Sequence, residues 1–253
     1  MRIAILAAGY GTRLYPLTLT TAKPLIPING KPMVNFLFDK IERLRKTWHI
    51  EEVTVVVNNK FYDDFLRWKT EYRIGARIIN DGSNSPDDRR GAVGDMRLAL
   101  SGVSDDWLVL GGDNLFEDDL TGFVSYAKTI HPHPCLGLYD VMTKENAKRF
   151  GVVVVDSSQR VKEFQEKPED PATTLAASCI YFFPKASVAY LDEYAEAHPN
   201  VDAAGTYIAW LAARASVYGY RLEGAWVDIG HADSLRQAEA IFGKTTKAKR
   251  CVQ

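Results

Sequence analysis

The first segment that could do chemistry is a glycine-containing turn with two cations close behind it. A short apolar run, residues 3–8, leads directly into residues 9–13 (Gly-Tyr-Gly-Thr-Arg), and Lys23 follows in a proline-punctuated loop. Glycine allows positive φ, and successive free N–H groups in such a turn form a nest for phosphate oxygens. Arg13 adds a planar fork and Lys23 a mobile point charge. The spacing predicts a cradle for a triphosphate.

This turn differs from two better-known phosphate loops. Leu14 stands where the dinucleotide-binding fingerprint has its third glycine, and the Gly-Lys-Ser/Thr of a Walker loop is missing. A glycine pair after a strand is also common in ordinary strand-to-helix turns. The prediction that this turn binds a triphosphate therefore needs support from other motifs in the chain.

A carboxylate follows a second buried strand. The apolar run 107–110 ends in Gly-Gly-Asp-Asn, which puts Asp113 at the carboxyl end of the predicted strand. In an open α/β sheet that end faces the same cleft as the phosphate loop. A hard divalent cation on a triphosphate prefers such an oxygen ligand. The alternative is an aspartate that caps the next helix.

Residues 80–90 are polar, rich in turn formers and long. They follow a predicted strand, so they lie at the edge of the sheet where ligands collect. Asp81 and Gly91, at either end of the segment, are candidate contacts for a ligand. The alternative is a solvated loop without a ligand.

A set of motifs resembles those of the sugar-1-phosphate nucleotidylyltransferases, in the family's order and over about residues 1–239. The first is Gly-x-Gly-Thr-Arg-Leu-x-Pro-x-Thr, followed by Lys-Pro-Leu-x-Pro and Lys-Pro-Met, within residues 9–33. Residues 91–94 resemble the segment beside the nucleobase, and Gly-Asp-Asn at 112–114 resembles the metal motif. Phe-Gly-Val-Val at 150–153 with Glu-Lys-Pro at 166–168 resembles the sugar-phosphate site, and residues 226–230 match Trp-x-Asp-Ile-Gly.

The resemblance implies Mg²⁺-dependent transfer of a nucleoside monophosphate from a nucleoside triphosphate to a sugar 1-phosphate, with release of pyrophosphate. The residues that it implies are catalytic Arg13, Lys23, Asp113 and Lys167; nucleotide-binding Leu6, Ala8, Gly9, Gly11, Thr12, Asp81, Gly91 and Asp113; sugar-phosphate-binding Gly151, Glu166 and Lys167; and metal-binding Asp113 and Asp228. The implied fold is α/β, a Rossmann-like, mostly parallel sheet flanked by helices, with a small β excursion for the sugar-phosphate site.

The region that reads the base departs from the family pattern. Asp81 stands near the position of a glutamine in thymidylyl- and uridylyltransferases, and extra residues follow it. An ionised carboxylate only accepts hydrogen bonds, so it suits the amino groups of cytosine or guanine better than the carbonyls of uracil or thymine. We therefore expect CTP or GTP as the nucleotide substrate.

Two alternatives stay open for the function. One is a cytidylyltransferase for a small phospho-alcohol such as phosphocholine, and the other is a non-catalytic protein that binds nucleotide-sugar and regulates a partner.

Composition limits the partners. The 253 residues carry a formal net charge of −1, which argues against nucleic acid, and no apolar stretch approaches the length of a membrane span. Three cysteines without paired spacing suit a reducing compartment, so we expect a cytoplasmic protein that could form a homo-oligomer. We expect one catalytic domain over residues 1–243 and a short, disordered basic tail over 244–253.

Overall fold

The computed structural model describes residues 1–199 and 203–248, the last five of them by backbone alone. Its strands are β1 (Arg2–Leu6), β2 (Pro27–Ile28), β3 (Lys31–Pro32), β4 (Val53–Val57), β5 (Arg77–Asn80), β6 (Trp107–Gly111), β7 (Asn114–Phe116), β8 (Cys135–Asp140), β9 (Gly151–Val155), β10 (Val161–Glu166), β11 (Leu175–Phe183), β12 (Tyr218–Arg221) and β13 (Trp226–Asp228). Its helices are α1 (Met33–Leu44), α2 (Tyr62–Glu71), α3 (Gly91–Leu100), α4 (Leu120–Thr129), α5 (Lys144–Ala147), α6 (Ala189–Ala197), α7 (Ala204–Ala212) and α8 (Ala232–Ala248).

One nine-stranded sheet organises the molecule, in the order β10-β9-β11-β6-β1-β4-β5, with β8 paired to β11 and β12 paired to β8. Strands β6, β1, β4 and β5 are parallel, and β11 joins β6 in the antiparallel sense. The prediction of a mixed α/β sheet flanked by helices is confirmed. Strands β9 and β10 form an antiparallel pair at one edge of this sheet, which is the predicted β excursion.

Helices cover both faces of the parallel strands. Along β1 the side chains alternate, so that Ile3 and Ile5 pack under α1, α2 and α4 while Ala4 packs under α3, α6 and α7. All three residues are inaccessible to solvent. Burial on both faces explains why these strands are continuous apolar runs rather than alternating ones.

A third apolar cluster holds the last part of the chain against the first. Val227 of β13 and Phe242 of α8 pack with Ile28, Met33 and Leu115. Strand β13 also pairs with β7, which sets its last residue opposite Asn114. This packing brings a segment from the end of the sequence to the carboxyl ends of β1 and β6.

Several boundaries differ from the sequence-based expectations. Helix α3 begins at Gly91, whereas its periodicity predicts a start at Met96, because two glycines weaken the apolar pattern of the first turn. Helix α4 was not predicted at all. Helix α8 continues to Ala248, so the first five residues of the predicted disordered tail are helical, and residues 249–253 lie outside the described part of the chain. Within the described residues, no helix has both the length and the apolar character needed to cross a bilayer.

Candidate active site

The glycine turn after β1 is held open by its backbone conformation. Gly11 has a φ of 60°, in the left-handed region, and precedes a 3₁₀ turn over Thr12–Leu14. The Thr18 hydroxyl donates to the Gly11 carbonyl at 2.8 Å, and a Cβ on Gly11 would come within 3.0 Å of the Thr18 methyl. Glycine is required here by both conformation and space. At Gly9 a Cβ would meet nothing within 4 Å, so this side of the turn faces open space.

Asp113 and Lys23 form the closest ion pair beside this turn. The Lys23 Nζ donates to Asp113 Oδ2 at 2.5 Å, although 90 residues separate the two in sequence. The Asn114 amide donates to the other oxygen, Asp113 Oδ1, at 2.9 Å. In turn the Trp226 indole N–H donates to Asn114 Oδ1 at 2.8 Å. Both oxygens of Asp113 are therefore oriented by neighbours before any ligand binds.

Asp228 lies next to this pair, at the end of β13. Burial and, after it, the charge of Asp113 raise its pKa to about 6, although Lys23, Arg13 and Arg149 oppose the shift. For Asp113, burial also opposes ionisation, but the Lys23 ammonium and the Asn114 amide hold its pKa below the ordinary value. Two crowded carboxylates with opposite pKa shifts are typical of a functional site.

The donor set of this pair fits Mg²⁺. Asp113 and Asp228 supply hard oxygen atoms, and a bound cation would offset both the burial of Asp228 and its repulsion by Asp113, which together raise its pKa. Among the described residues there is no group of three or more His, Cys, Asp or Glu side chains that could hold a metal. A cation here would therefore complete its shell with phosphate oxygens and water, as Mg²⁺ often does in phosphoryl-transfer sites.

A cleft of about 270 Å³ opens beside the two carboxylates. The predicted site residues that line it are Arg13, Asp113, Gly151, Glu166, Lys167 and Asp228. The guanidinium of Arg13 lies against the Gly230 backbone, where a Cβ would come within 3.2 Å of it. The structure thus brings together residues from five separate stretches of sequence.

The far wall of the cleft contains the predicted sugar-phosphate residues. Glu166 is paired with Gly151 across β9 and β10, and a Cβ on Gly205 would fall 1.7 Å from Glu166 Oε2. Burial raises the pKa of Glu166, and the Lys167 ammonium, 3.8 Å away, opposes that shift. Lys167 itself is exposed, with a backbone φ of 44°. A partly buried carboxylate and an exposed ammonium therefore stand side by side on this wall.

The other predicted nucleotide contacts surround the glycine turn and lie outside this cleft lining. The Leu6 carbonyl accepts from the Gly112 N–H at 2.8 Å, and the Ala8 carbonyl accepts from the Asn58 amide at 2.9 Å. Gly91 has a φ of 73° where α3 begins. Asn58 was not predicted, and the polar residue after a buried strand was its only signal.

Asp81 has a structural partner that competes with the predicted nucleobase contact. Its carboxylate accepts from the Ser83 N–H at 2.7 Å and from the Ser83 hydroxyl at 2.8 and 2.9 Å. The Tyr10 hydroxyl, from the glycine turn, donates to the same Ser83 oxygen at 3.0 Å. Asp81 is also almost fully buried, and burial raises its pKa. The assignment of Asp81 to a nucleobase stays a prediction.

Asp95, a carboxylate on the buried face of α3, was not predicted. Its Oδ1 has no hydrogen-bond partner among the described residues. Burial and, after it, the charge of Asp81 raise its pKa to about 7, although Arg90 opposes the shift. Asp81 therefore has a second buried carboxyl group close by.

Further residues of the cleft were missed because their motifs carry no mark of their role. Trp226 packs against Phe150, with ring centroids 5.0 Å apart, and both line the cleft. Cys179 also lines it and has a φ of 53°, in a region that favours glycine. Arg149 precedes the Phe-Gly motif directly, and this position was its only sequence signal.

Comparison with known proteins identifies the family. The sequence model of the family described as "Nucleotidyl transferase" matches residues 3–244. The bifunctional protein GlmU of Methanocaldococcus jannaschii is 32% identical over 91% of this chain. This chain belongs to the nucleotidyl transferase family. Membership confirms the resemblance that these motifs indicate.

The similar curated proteins are longer than this chain. The alignment covers 51% of the Methanocaldococcus jannaschii GlmU. The GlmU of Methanococcus aeolicus is 28% identical over 98% of this chain and 56% of its own length. The chain therefore spans about half the length of the curated relatives that it matches.

Two solved structures share the fold. A putative glucose-1-phosphate thymidylyltransferase from Bacillus anthracis, in complex with sucrose, has a TM-score of 0.80 at 24% identity and covers 95% of this chain and 94% of its own. A UDP-glucose pyrophosphorylase complexed with UDP-glucose has a TM-score of 0.78 at 19% identity, with 96% and 98% covered. At these identities the likeness concerns the fold alone.

Proposed function

We propose that this chain transfers a nucleoside monophosphate from a nucleoside triphosphate to a sugar 1-phosphate or a similar phosphorylated polyol, with release of pyrophosphate. The observation that carries the proposal is the constellation of Lys23, Asp113 and Asp228 beside a glycine turn and a cleft that Lys167 lines. Nucleotidyl transferase membership and the names of the two similar structures support it.

In this reaction an oxygen of the acceptor phosphate bonds to the α-phosphorus, and the bond from that phosphorus to the bridging oxygen of the β-phosphate breaks. The nucleophile is already anionic, so no general base is needed. The activation barrier arises mainly because two anions, the acceptor phosphate and the nucleotide's α-phosphate, must be aligned. The cationic side chains lower this barrier by positioning the two groups and screening their charges. Arg13 and Lys23 would hold the triphosphate and the departing pyrophosphate, and Lys167 the acceptor phosphate.

Asp113 and Asp228 would hold Mg²⁺. When bound, this ion would screen the repulsion between the nucleotide's α-phosphate and the attacking phosphate. The Lys23 ammonium also pairs with Asp113. As the triphosphate binds, this ammonium would move from the carboxylate to a phosphate oxygen.

For the nucleotide we propose a base with an exocyclic amino group, CTP or GTP. Asp81, Asp88 and Asp95 lie near Tyr10 of the glycine turn, and after burial their charges raise the pKa of that phenol; of the three, Asp81 and Asp95 are buried. Carboxylate oxygens accept from amino groups and meet the carbonyls of uracil and thymine unfavourably. Ser83 would have to release one Asp81 oxygen for that residue to take part.

A phosphocholine acceptor would need aromatic rings on facing sides of its cation. Four aromatic side chains line the cleft, Phe150, Phe164, Tyr181 and Trp226, and of these Phe150 and Trp226 pack on one another with ring centroids 5.0 Å apart. Glu166 and Lys167 line the same cleft and suit hydroxyl groups and a phosphate, which favours a sugar or polyol acceptor. The non-catalytic alternative is disfavoured because every charged residue that the reaction needs is present in this chain.

The test is a pyrophosphate-release assay with Mg²⁺, in which five nucleoside triphosphates are crossed with sugar 1-phosphates, cyclitol phosphates and phosphocholine. We expect turnover with CTP or GTP and a sugar or polyol phosphate, and loss of turnover in Asp113→Asn with the fold retained. Turnover with phosphocholine alone would establish the second acceptor class. Tight nucleotide binding by calorimetry without turnover on any acceptor would favour the regulatory function.

A further inference from the structure

The side chains of Arg149 and His231 contact each other at the edge of the cleft, and the proposed reaction assigns neither of them a role. The Nη2 of Arg149 contacts the Nε2 of His231, although 82 residues separate them in sequence. Arg149 lines the cleft together with Asp228 and Lys167, and its charge opposes the rise in the pKa of Asp228. Both residues also line an adjoining pocket of about 250 Å³. The pair therefore stands at the junction of two cavities.

The hydrogen-bond network assigns the tautomer of His231. His231 directly precedes α8, and its Nδ1 accepts from the Ser234 N–H at 3.2 Å. An imidazole nitrogen that accepts carries no hydrogen, so in the neutral ring the hydrogen is on Nε2. That nitrogen is the one that faces Arg149.

Two donors therefore face each other. A guanidinium has only N–H donors and no acceptor, and the Nε2–H of His231 is also a donor, so the two groups cannot hydrogen-bond to one another. Nor does Arg149 have a carboxylate within 4.0 Å among the described residues, whereas its neighbour Lys148 lies 2.7 Å from Glu145. An oxyanion bound beside the two groups would accept from both once they separate.

The backbone around the pair is already satisfied. The N–H groups of Gly230 and His231 both donate to the Ser234 hydroxyl, at 3.0 and 3.1 Å. Contacts to an anion would thus come from the two side chains, and the N-terminal end of α8 would add a favourable field. Guanidinium groups bind phosphate and carboxylate in a bidentate manner, which suits either anion.

We propose that Arg149 and His231 form an oxyanion subsite that binds an anionic group of the acceptor substrate. This inference rests on the proposed function and adds two residues to it. The anionic group is either the acceptor's phosphate, in the cleft, or a second anionic substituent, in the adjoining pocket. In both cases the pair positions the acceptor and leaves the nucleotide untouched.

The kinetic test compares Arg149→Gln, Arg149→Lys and His231→Gln with Lys148→Gln, which removes a neighbouring exposed cation. We expect Arg149→Gln to raise KM for the acceptor at least tenfold while KM for the nucleotide changes less than twofold. In Arg149→Lys, which keeps the positive charge but not the planar guanidinium, KM for the acceptor should lie between those of Arg149→Gln and the unmodified chain. In Lys148→Gln it should equal that of the unmodified chain. Equal effects of Arg149→Gln and Lys148→Gln, or an equal rise in both KM values, would overturn the proposal.

The two sources of the anion are separated by the acceptor used. If Arg149→Gln raises KM equally for plain sugar 1-phosphates and for those with a carboxylate on the ring, the subsite binds the acceptor's phosphate. If KM rises only for the carboxylated acceptors, the subsite binds the second anionic substituent.

A binding measurement keeps this test independent of turnover. Inorganic phosphate, titrated without nucleotide, should shift the imidazole NMR signals of His231 in the unmodified chain and in Lys148→Gln. The shift should be lost in Arg149→Gln. If pyrophosphate is never released but this pattern appears, the proposed function fails and the anion subsite stands. An unmodified chain whose His231 signals ignore phosphate refutes the subsite.

Discussion

Replacing Asp228 with asparagine should stabilise the metal-free protein while it abolishes the reaction. Asp228 is ionised at neutral pH in a buried position beside Asp113, and both features disfavour its charge. Asparagine has nearly the same shape and removes the charge. A residue retained at a cost in stability is expected where it serves a ligand that is not yet bound.

The magnitude follows from the pKa of Asp228. Raising it from 3.8 to about 6 corresponds to about 3 kcal/mol against the ionised form, at about 1.36 kcal/mol for each tenfold change. Because the pKa is higher in the folded chain, folding favours the protonated acid, and the stability of the unmodified protein falls as pH rises from about 4 to 6. Above that range the penalty is constant. We expect Asp228→Asn to gain about 2–3 kcal/mol at pH 8 and nothing near pH 4.

The assay is urea unfolding in the presence of a chelator at pH 4 and pH 8. For a gain of this size the midpoint at pH 8 should rise by roughly 1 M, given typical denaturant slopes. Asp170→Asn, at a well-exposed carboxylate, is the matched control and should shift little at either pH. An Asp228→Asn protein that is less stable than the unmodified chain at pH 8 would refute the reasoning, because the carboxylate would then be favourably paired.

Three further predictions concern the metal, the acceptor and the base. Millimolar Mg²⁺ should raise the unfolding midpoint of the unmodified chain but not of Asp113→Asn or Asp228→Asn; equal stabilisation of all three would exclude this pair as the site. Gly205→Ala should raise KM for the acceptor several-fold with little loss of stability, since its Cβ would fall 1.7 Å from the mobile carboxylate of Glu166, and an unchanged KM would contradict that role. Asp81→Asn should shift the nucleotide preference of the reaction toward UTP or TTP. An unchanged preference would show that Asp81 only stabilises the turn that contains Ser83.

Local patterns were enough to predict the strands of the parallel sheet. The β-branched run in β4 and the apolar runs in β1 and β6 have few alternatives to burial, and the predicted and observed bounds differ by at most two residues. The prediction of Gly151, Glu166, Lys167 and Asp228, which line the cleft, came instead from the resemblance of their motifs to those of the family.

Contacts between distant segments could not be predicted in the same way. Nothing in the sequence near Lys23 indicates that Asp113 is its partner, and Arg149 has no local sign of His231. These pairs arise from the packing of whole elements. The engagement of Asp81 by Ser83 was also open, because a short polar side chain can turn toward its own backbone or toward a ligand.

The central claim is that this cleft joins a nucleotide's α-phosphorus directly to an acceptor phosphate. The most direct measurement incubates a triphosphate labelled at the α-phosphorus with a sugar 1-phosphate and Mg²⁺, and follows the label by chromatography and ³¹P NMR. The account predicts that the label appears in a diphosphate-linked sugar product and that one equivalent of pyrophosphate is released for each product formed. The Asp113→Asn variant should give neither the labelled product nor pyrophosphate. Label that stays on the protein, or that appears only as free nucleoside monophosphate, would contradict it.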